Sequence, residues 1–573
     1  MAQVGVQDDD RLDRGLLAGH ADDAVNGIET NADGEDNGVA SRPEDVEFWH
    51  EMKELSVLSL PVALSTLCRL VIINTDTAFL GHLGKKELTA ASFGNTWNQF
   101  LSNIVFAPGY ALNSLGSQAI GAGNPKLAGV WLQLAIFITT IMCIPVLAGY
   151  LLTKPVVALM VNSDGVPELA QEFNNVSMLV LWPMVMYMII RQYFQSMQIV
   201  TPAMVVSGLT VGVNYAMNYV FVPPDGLFRW GIKGSPFATF LSMLFQIGCF
   251  TTYTVVIRGY HKPYWGGWSW DFLAKSRVAR FSKMVLPMAV GIVLENSGLQ
   301  MISFSTGRIG TEENRESLIA GNAILASLWG VLWSLYWGCG LALQVRVGAY
   351  LGQGNVYGAK LVARISIVLV VIICFLVGLF TFLFRVQIAK LFSTEQEVID
   401  VVDGAMYALV IDYFTACMAL CAVNLLEAMA QNRILAFTLS AGMWCVQVPC
   451  ALLFAYKIPY FKDHPVRGIW MGQVCGEVFK LVILWTYIAR LDWDQMCREA
   501  KERSEANETT DEADEQLEHL LEEEDPAFEE ESQAIPIARS HHLDTAEAIA
   551  SSMQAGSPSP FIGSRSPKFV RQM

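Results

Sequence analysis

The chain is built around repeated apolar stretches of about twenty residues, the length that crosses the hydrocarbon core of a bilayer as an α-helix. Of its 573 residues, 53% are hydrophobic and only 16% are charged. Soluble domains carry about a quarter charged residues, so this chain has too little charge to cover soluble surfaces. We therefore expect an all-α integral membrane protein, and the composition excludes a soluble enzyme.

Twelve of these stretches can be counted along the chain. A longer gap at 258–280, rich in Lys and Arg, divides them six and six. We predict an N-terminal lobe at 48–257, a basic interlobe loop at 258–280 and a C-terminal lobe at 281–490. The predicted helices lie at 55–80, 91–115, 130–152, 174–198, 203–222, 235–257, 281–306, 318–343, 362–384, 399–428, 435–456 and 468–490.

The negative charge of the chain is concentrated at its two ends. Residues 1–47 hold 13 acidic residues against 3 Arg, and residues 499–573 hold 18 acidic against 6 basic residues. We expect disordered acidic tails at 1–47 and 491–573, because such segments bury too little apolar surface to fold. An even number of helices places both tails on one side, and the basic 258–280 loop indicates the cytoplasm.

The positions of histidine and cysteine bear on cofactors and partners. All eight histidines lie outside the apolar stretches, and ten of the 11 cysteines lie inside them, as small core residues do. We therefore expect no metal and no other cofactor. The expected partner is the lipid bilayer, with no nucleic acid, and we expect a monomer.

The two halves of the chain resemble each other. LPVALSTLCRLVIINTDTAFLGHLG, starting at Leu60, aligns without gaps with LPMAVGIVLENSGLQMISFSTGRIG, starting at Leu286, and GAGN at Gly121 matches GQGN at Gly352. Halves of six helices share one orientation, so a pseudo-twofold axis along the membrane normal is predicted to relate them. Such duplicated bundles are typical of transporters in which two lobes rock around a central cleft.

Four ionisable residues stand deep inside apolar stretches, where each costs ~2.5 kcal/mol or more on insertion scales. They are Arg69, Asp76, Glu295 and Asp412. A desolvated carboxyl group can take up and release protons, and a carboxylate can also bind sodium. Arg69 aligns with Glu295 in the repeat, so the two are predicted to face one cleft and to pair in one conformation. Alternatively, Arg69 neutralises Asp76 two turns away.

Amide and aromatic side chains accompany these charges. Asn214 and Asn218 lie one turn apart in the fifth stretch and offer carbonyl oxygens to a cation, or hydrogen bonds to another helix. Aromatic faces mixed with amides also suit an organic cation, although tryptophans can equally anchor helix ends at the membrane surface. The residues of this kind in the second and eighth stretches are Gln99, Asn103, Asn322, Trp333 and Tyr336.

Several ordered motifs resemble those of the multidrug and toxic compound extrusion (MATE) transporters, within a larger flippase-like superfamily. They are NTDTAFLGHLG, ALNSLGSQAIGAGN, GIKGSPFAT and RVGAYLGQGN, and the resemblance covers roughly residues 50–490. It implies a secondary active antiporter that exports organic cations, xenobiotics or metabolites in exchange for protons, or for sodium, by alternating access.

The resemblance also implies site residues. The cation-coupling set is Asp76 with Asn214 and Asn218, Glu295, and Asp412, which lies one turn before the expected acidic position at Ala416. A second acid, frequent in eukaryotic members five residues after the first, is replaced here by Gln300. The predicted substrate cleft is lined by Arg69, Gln99, Asn103, Gln300, Asn322, Trp333 and Tyr336.

Two other functions stay open at this point. A flippase-like transporter of a lipid-linked or amphipathic substrate would share the fold, and a membrane-embedded enzyme is the more distant alternative. The membrane is also open, since a plasma membrane and a vacuolar or other acidic organelle membrane both fit the sequence.

Overall fold

The computed structural model describes residues 48–160, 165–224, 226–306, 315–461 and 464–503. The predicted N-terminal tail and most of the predicted C-terminal tail lie outside these residues. The start of the C-terminal tail is a correction, because residues 493–503 form a helix whose Met496 and Ala500 are buried against the protein. Its acidic composition concealed this apolar face.

Helices make up both halves of the described chain. The first half contains α1 (Phe48–Leu83), α2 (Lys85–Ser102), α3 (Ala107–Gly121), α4 (Leu127–Tyr150), α5 (Thr153–Met160), α6 (Val166–Ser196), α7 (Thr201–Phe221) and α8 (Gly234–Thr251). The second half contains α9 (Lys275–Thr306), α10 (Arg315–Gly352), α11 (Val356–Leu383), α12 (Arg385–Phe392), α13 (Gln396–Ala428), α14 (Asn432–Ala441), α15 (Val448–Tyr456) and α16 (Pro465–Arg490), and we call 493–503 α17.

Ten helices among the described residues are long and apolar enough to cross a membrane. The prediction of an all-α, multi-pass membrane protein is therefore confirmed. The predicted stretches 91–115 and 203–222 fall outside these ten, although both are helical, as α2–α3 and α7. The count of twelve spans stays a prediction.

Several boundaries differ from those predicted. The second stretch is interrupted by a 3-10 turn at Asn103–Phe106, because Pro108 has no amide hydrogen to donate to the carbonyl one turn earlier. The interlobe loop is shorter than 258–280, since α9 begins at Lys275. π-helical turns extend α8 at Thr252–Ile257 and join α14 to α15 at Gly442–Gln447.

The repeated GAGN and GQGN motifs fold in the same way. Gly123 and Gly354 both have positive φ, at 85° and 74°, which glycine adopts without strain. In both motifs the next residue accepts a hydrogen bond from the amide three residues on: the Asn124 side-chain oxygen from Leu127 at 3.3 Å, and the Asn355 oxygen, as the N-cap of α11, from Gly358 at 2.8 Å. The two halves therefore begin α4 and α11 with one local structure.

The two halves meet on the side of the molecule where α1 begins, which we call the Phe48 face. Gly338 of α10 lies directly against the Ser59 carbonyl and Ala63 of α1, and Gly348 lies against Ser117 of α3. Glycine at these positions lets the helix backbones approach closely, as small residues do in membrane helices.

Polar bonds reinforce this contact. Asn113 of α3 donates to the Gln344 side chain of α10 at 3.0 Å. Gln118 of α3 donates to the carbonyl oxygen of Ala428, at the end of α13, at 2.5 Å. The first half is thus tied to two helices of the second half at the Phe48 face.

A buried ion pair lies at the same contact. Glu51, 1% exposed at the start of α1, pairs with Arg346 of α10, and the Tyr350 hydroxyl donates to Glu51 at 2.6 Å. Arg346 also donates to Gln198, which follows α6, at 3.1 Å. A buried pair of this kind is strongly destabilised when one partner is removed.

Candidate functional site

The first half holds a carboxylate at the junction of three helices. Asp76 projects from α1 and accepts hydrogen bonds from Asn214 and Asn218 of α7 at 3.1 and 2.7 Å. Its second oxygen accepts from the Thr239 hydroxyl of α8 at 2.7 Å. The four-residue spacing of the asparagines places both amides on one face of α7. Three donors match the acceptor capacity of an ionised carboxylate.

Further oxygen atoms lie beside this carboxylate. Asn214 and Asn218 are 0% exposed, and within the described part of the chain the side-chain oxygen of each has no hydrogen-bond partner. Buried polar atoms without partners are rare in folded proteins. A carboxylate beside two unpartnered carbonyl oxygens supplies the ligand type that hard cations prefer. We call Asp76, Asn214, Asn218 and Thr239 the first-half cluster.

The second half holds a cluster of opposite design, in which one ammonium group is surrounded by carboxyl groups. Lys480 of α16 lies 3.1 Å from Glu295 of α9 and 2.6 Å from Glu477, one turn earlier on its own helix. Asp412 of α13 interacts electrostatically with both Lys480 and Glu477, and it accepts from the Trp329 indole of α10 at 3.0 Å. We call these five residues the second-half cluster.

The second-half cluster is unbalanced in charge. Lys480, Glu477 and Asp412 are 3%, 9% and 2% exposed, while the Glu295 side chain keeps 29% of its surface accessible. One ammonium cannot neutralise three ionised carboxylates, and uncompensated charge is costly in a buried site. The excess has to be balanced by protons or by another cation. Glu295 is the most accessible member, so exchange with the cleft is easiest there.

An aromatic ladder leads away from Asp412 along α10. Trp329 stacks on Trp333 with ring centroids 5.0 Å apart, and Trp333 contacts Trp337 at 5.6 Å. Trp337 in turn contacts Tyr110 of α3, on the other half, at 6.0 Å. The ladder therefore runs from the second-half cluster to the first half.

Arg69 lies at the first-half end of this ladder. Its guanidinium is 5.9 Å from the centroid of the Phe106 ring, and its charge acts on Tyr110. Within the described residues Arg69 forms no ion pair, so neither Asp76 nor Glu295 is its partner in this conformation. The proposed static pair of Arg69 with Asp76 is thus not seen, because three neutral donors take up Asp76 instead.

The other predicted cleft residues have varied surroundings. Gln99 is exposed, and Asn103, Gln300 and Trp333 are half-buried. Tyr336 is 1% exposed and accepts from Asn424 of α13 at 3.0 Å. Asn322 accepts from the Trp470 indole of α16 at 3.1 Å. In this conformation the last two tie α10 to its neighbours.

Sequence reasoning missed four residues at the two clusters. Glu477 and Lys480 stand inside the predicted helix 468–490, and the same cost of intramembrane charge that identified Glu295 applies to them. No sequence feature distinguishes Trp329 from the other tryptophans of the chain. The same holds for Thr239, since threonine is common in membrane helices and ordinarily bonds to its own backbone.

Two clusters of buried ionisable and amide side chains, one in each half of a helical membrane protein, fit a transporter. A sequence model of the MatE family matches residues 61–220 and 287–453, one segment in each half and together more than half of the chain. The chain belongs to the MatE family.

Curated relatives cover most of the chain. Multidrug and toxin extrusion protein 2 of Oryctolagus cuniculus is 26% identical over 80% of this chain and 74% of its own length. Multidrug and toxin extrusion protein 1 of Danio rerio is 27% identical over 82% of this chain and 77% of its own length. Multidrug and toxin extrusion protein 1 of Homo sapiens is 25% identical over 79% of this chain and 77% of its own length.

Solved structures share the fold. The eukaryotic MATE transporter AtDTX14 superposes with a TM-score of 0.72 at 21% identity, covering 80% of this chain and 99% of its own. The Vibrio cholerae MATE transporter VcmN in its bent form superposes with a TM-score of 0.68 at 18% identity, covering 80% of this chain and 99% of its own. The match to the family model, together with curated relatives that are extrusion proteins, confirms the predicted family and the prediction that the chain is not an enzyme.

Proposed function

We propose that the chain is a secondary active antiporter that exports organic cations, xenobiotics or metabolites in exchange for protons. Two lobes of six helices each, with α2–α3 and α7 as the additional spans, rock about a pseudo-twofold axis along the membrane normal. Both termini and the Phe48 face lie in the cytoplasm, in the plasma membrane or the membrane of an acidic organelle. The transporter acts as a monomer.

One observation carries this proposal: two carboxyl groups contact the ammonium of Lys480 in the second-half cluster, and a third, that of Asp412, interacts with it electrostatically. The surplus negative charge is held by protons while the cleft is empty. A cationic substrate that reaches Glu295 displaces a proton from the cluster, because both neutralise the same surplus negative charge. Since proton and substrate compete for one site, inward movement of the proton drives outward movement of the substrate.

The aromatic ladder supports the choice of substrate. Trp329 and Trp333 offer stacked ring faces beside Asp412. Ring faces attract cations electrostatically, and flat aromatic cations also stack on them. An organic cation with an aromatic body therefore suits this wall of the cleft better than an inorganic ion does.

The packing at the Phe48 face supports alternating access. The glycine contacts, the Asn113–Gln344 bond and the Glu51–Arg346 pair all join the halves there. With that face in the cytoplasm, this is the state closed to the cytoplasm. These bonds must break when the cleft opens inward.

Transport into sealed vesicles tests the proposal. Purified protein in proteoliposomes is supplied with ethidium, a fluorescent aromatic cation, under an imposed proton gradient, a sodium gradient or neither. We expect the proton gradient to drive ethidium accumulation. Glu295→Gln keeps the shape of the side chain but cannot ionise, and it should lower the gradient-driven rate on the order of 10-fold or more.

Glu168→Gln is the matched control. It removes an exposed acid of α6 that pairs with Lys154 at 3.1 Å, far in sequence from both clusters. Its rate should equal that of the unchanged protein. If only the sodium gradient drives ethidium accumulation, the coupling site is the first-half cluster instead. Failure to move ethidium under any gradient would contradict the proposal and favour a flippase-like cargo.

A further inference from the structure

A cavity on the Phe48 face lies outside both clusters. Its volume is about 230 Å³, and it lies among α3, the start of α9, the connection between α13 and α14, and α17. Among the described residues that line it, four are basic and none is acidic: Arg280, Lys283, Arg433 and Arg503. Leu115 of α3 comes from the first half and the other described lining residues from the second, so the cavity lies at the boundary between the halves.

Three of the four basic side chains of this cavity have no acidic partner in the part of the chain that the structure describes. Within the described residues, Arg280, Lys283 and Arg433 form no salt bridge. Arg280 donates to the backbone carbonyl of Arg503 at 2.7 Å, and its positive charge acts on the Arg503 guanidinium. Burial lowers the pKa of Arg503, and the charge of Arg280 acts in the same direction, although Glu499 and Glu502 oppose it. An anion in the cavity would relieve this repulsion.

A helix N-terminus opens into the same cavity. α14 begins at Asn432, and the preceding Gln431 provides no side-chain cap. Backbone N–H groups at a helix start, together with the positive end of the helix dipole, bind anions. Asn432 lines the cavity and is 3% exposed, and neither its side-chain nitrogen nor its oxygen has a hydrogen-bond partner among the residues that the structure describes. An anion would supply the acceptor that its amide lacks.

We propose that this cavity binds a phosphate group, carried by the headgroup of an anionic phospholipid or by a soluble phosphate compound. Arginine forks and a lysine around a helix start match the several oxygens and the charge of a phosphate. The cavity lies where helices end, at the level at which headgroups lie, and basic pockets between membrane helices bind such headgroups. This inference does not depend on the transported substrate.

Native mass spectrometry of the purified full-length protein tests the inference. The protein is titrated with phosphatidylinositol 4-phosphate, with phosphatidylcholine as the zwitterionic comparison, and separately with inorganic phosphate competing against the bound lipid. We expect phosphatidylinositol 4-phosphate to bind and phosphatidylcholine not to. The double variant Lys283→Gln/Arg433→Gln should weaken binding at least ~10-fold, since two charge-assisted contacts are lost.

The control variant is Lys262→Gln/Lys275→Gln, which removes two charges from the same face outside the cavity lining. It should bind the lipid as the unchanged protein does. Asn432→Ala should weaken binding without changing the net charge. If inorganic phosphate displaces the bound lipid and the protein shows no preference between the two lipids, the site belongs to a soluble phosphate compound.

The inference is overturned if both double variants lose binding equally, because that identifies a diffuse attraction between a basic face and an acidic lipid. It is also overturned if neither phosphate source binds. Lys283 and Arg433 are exposed, so their replacement should leave the fold intact, and a melting curve of each variant verifies this. Ethidium transport is measured independently, so failure of one proposal does not decide the other.

Discussion

At the scale of single residues, Lys480 is the side chain on which the second-half cluster depends. It contacts Glu295 and Glu477 and acts on Asp412. Lys480→Met leaves these carboxyl groups without their cation, so we expect a loss of about 3–5 kcal/mol of stability. Thermal unfolding of the purified protein measures it.

Lys154→Met provides the comparison, since it breaks an exposed pair with Glu168 and should change the stability little. The double variant Lys480→Met/Glu295→Gln removes one of the carboxylates left without a cation. It should recover part of the stability, but not the transport. Equal melting temperatures for Lys480→Met and Lys154→Met would show that Lys480 does not balance the cluster.

Asp76 is the residue on which a second cation site would depend. Asp76→Asn preserves its size but removes the charge and one of the acceptor oxygens used by Asn214, Asn218 and Thr239. We expect the dependence of ethidium transport on pH or sodium to shift. Thr239→Val removes one hydrogen bond and no charge, and it should leave that dependence in place. A lower melting temperature with unchanged cation dependence would make Asp76 purely structural.

Residue-level prediction from the sequence succeeds where a side chain is out of place in lipid. Asp76 stood out for that reason, and the one-turn spacing of Asn214 and Asn218 indicated a shared face, so the grouping of these three could be anticipated. The ladder of Trp329 and Trp333 could not, because side-chain stacking depends on rotamers and on neighbouring helices. The partner of Glu295 was also beyond reach, since a helix far along the chain supplies Lys480.

At the scale of helices, the contact of α1 with α10 is the element that must open and close. A methyl group at Gly338 would overlap the Ser59 carbonyl, so Gly338→Ala should hinder closure of the Phe48 face. Gly330 lies on the same helix, and a methyl group there meets open space. Gly330→Ala should therefore leave closure unaffected.

Spin labels on the exposed Lys126 and Lys501, each replaced by cysteine, report the separation of the halves at this face by pulsed electron resonance. We expect the distance distribution of Gly338→Ala to move to longer values, and that of Gly330→Ala to match the unchanged protein. Identical distributions for both variants would mean that this helix contact does not set the conformation.

Helix-level features were predictable where they are encoded locally. The GAGN and GQGN motifs were found as a repeat, and they act as equivalent helix starts through Asn124 and Asn355. The 3-10 interruption at Asn103–Phe106 follows from Pro108, but the length of the break depends on packing against α9. The ion pair of Glu51 with Arg346 joins distant segments, and no local pattern indicates it.

At the scale of the whole molecule, composition and apolar length were enough to predict a helical membrane protein, and the order of motifs was enough to predict the family. The face on which the two halves touch could not be deduced from the sequence, because it depends on the conformational state. The state with the Phe48 face closed leaves Glu295 accessible and Arg69 unpaired with any described carboxylate. In the account proposed here, the second-half cluster releases its proton in this state, when the substrate reaches Glu295.

Linked proton release on substrate binding tests the central claim most directly. Calorimetric titration of the purified protein with ethidium, repeated in buffers of different ionisation enthalpy, counts the protons released on binding. Competition between ethidium and a proton for the surplus negative charge of the second-half cluster predicts release of about one proton per ethidium bound, and none from Glu295→Gln. Ethidium binding that releases no proton from the unchanged protein would contradict the account.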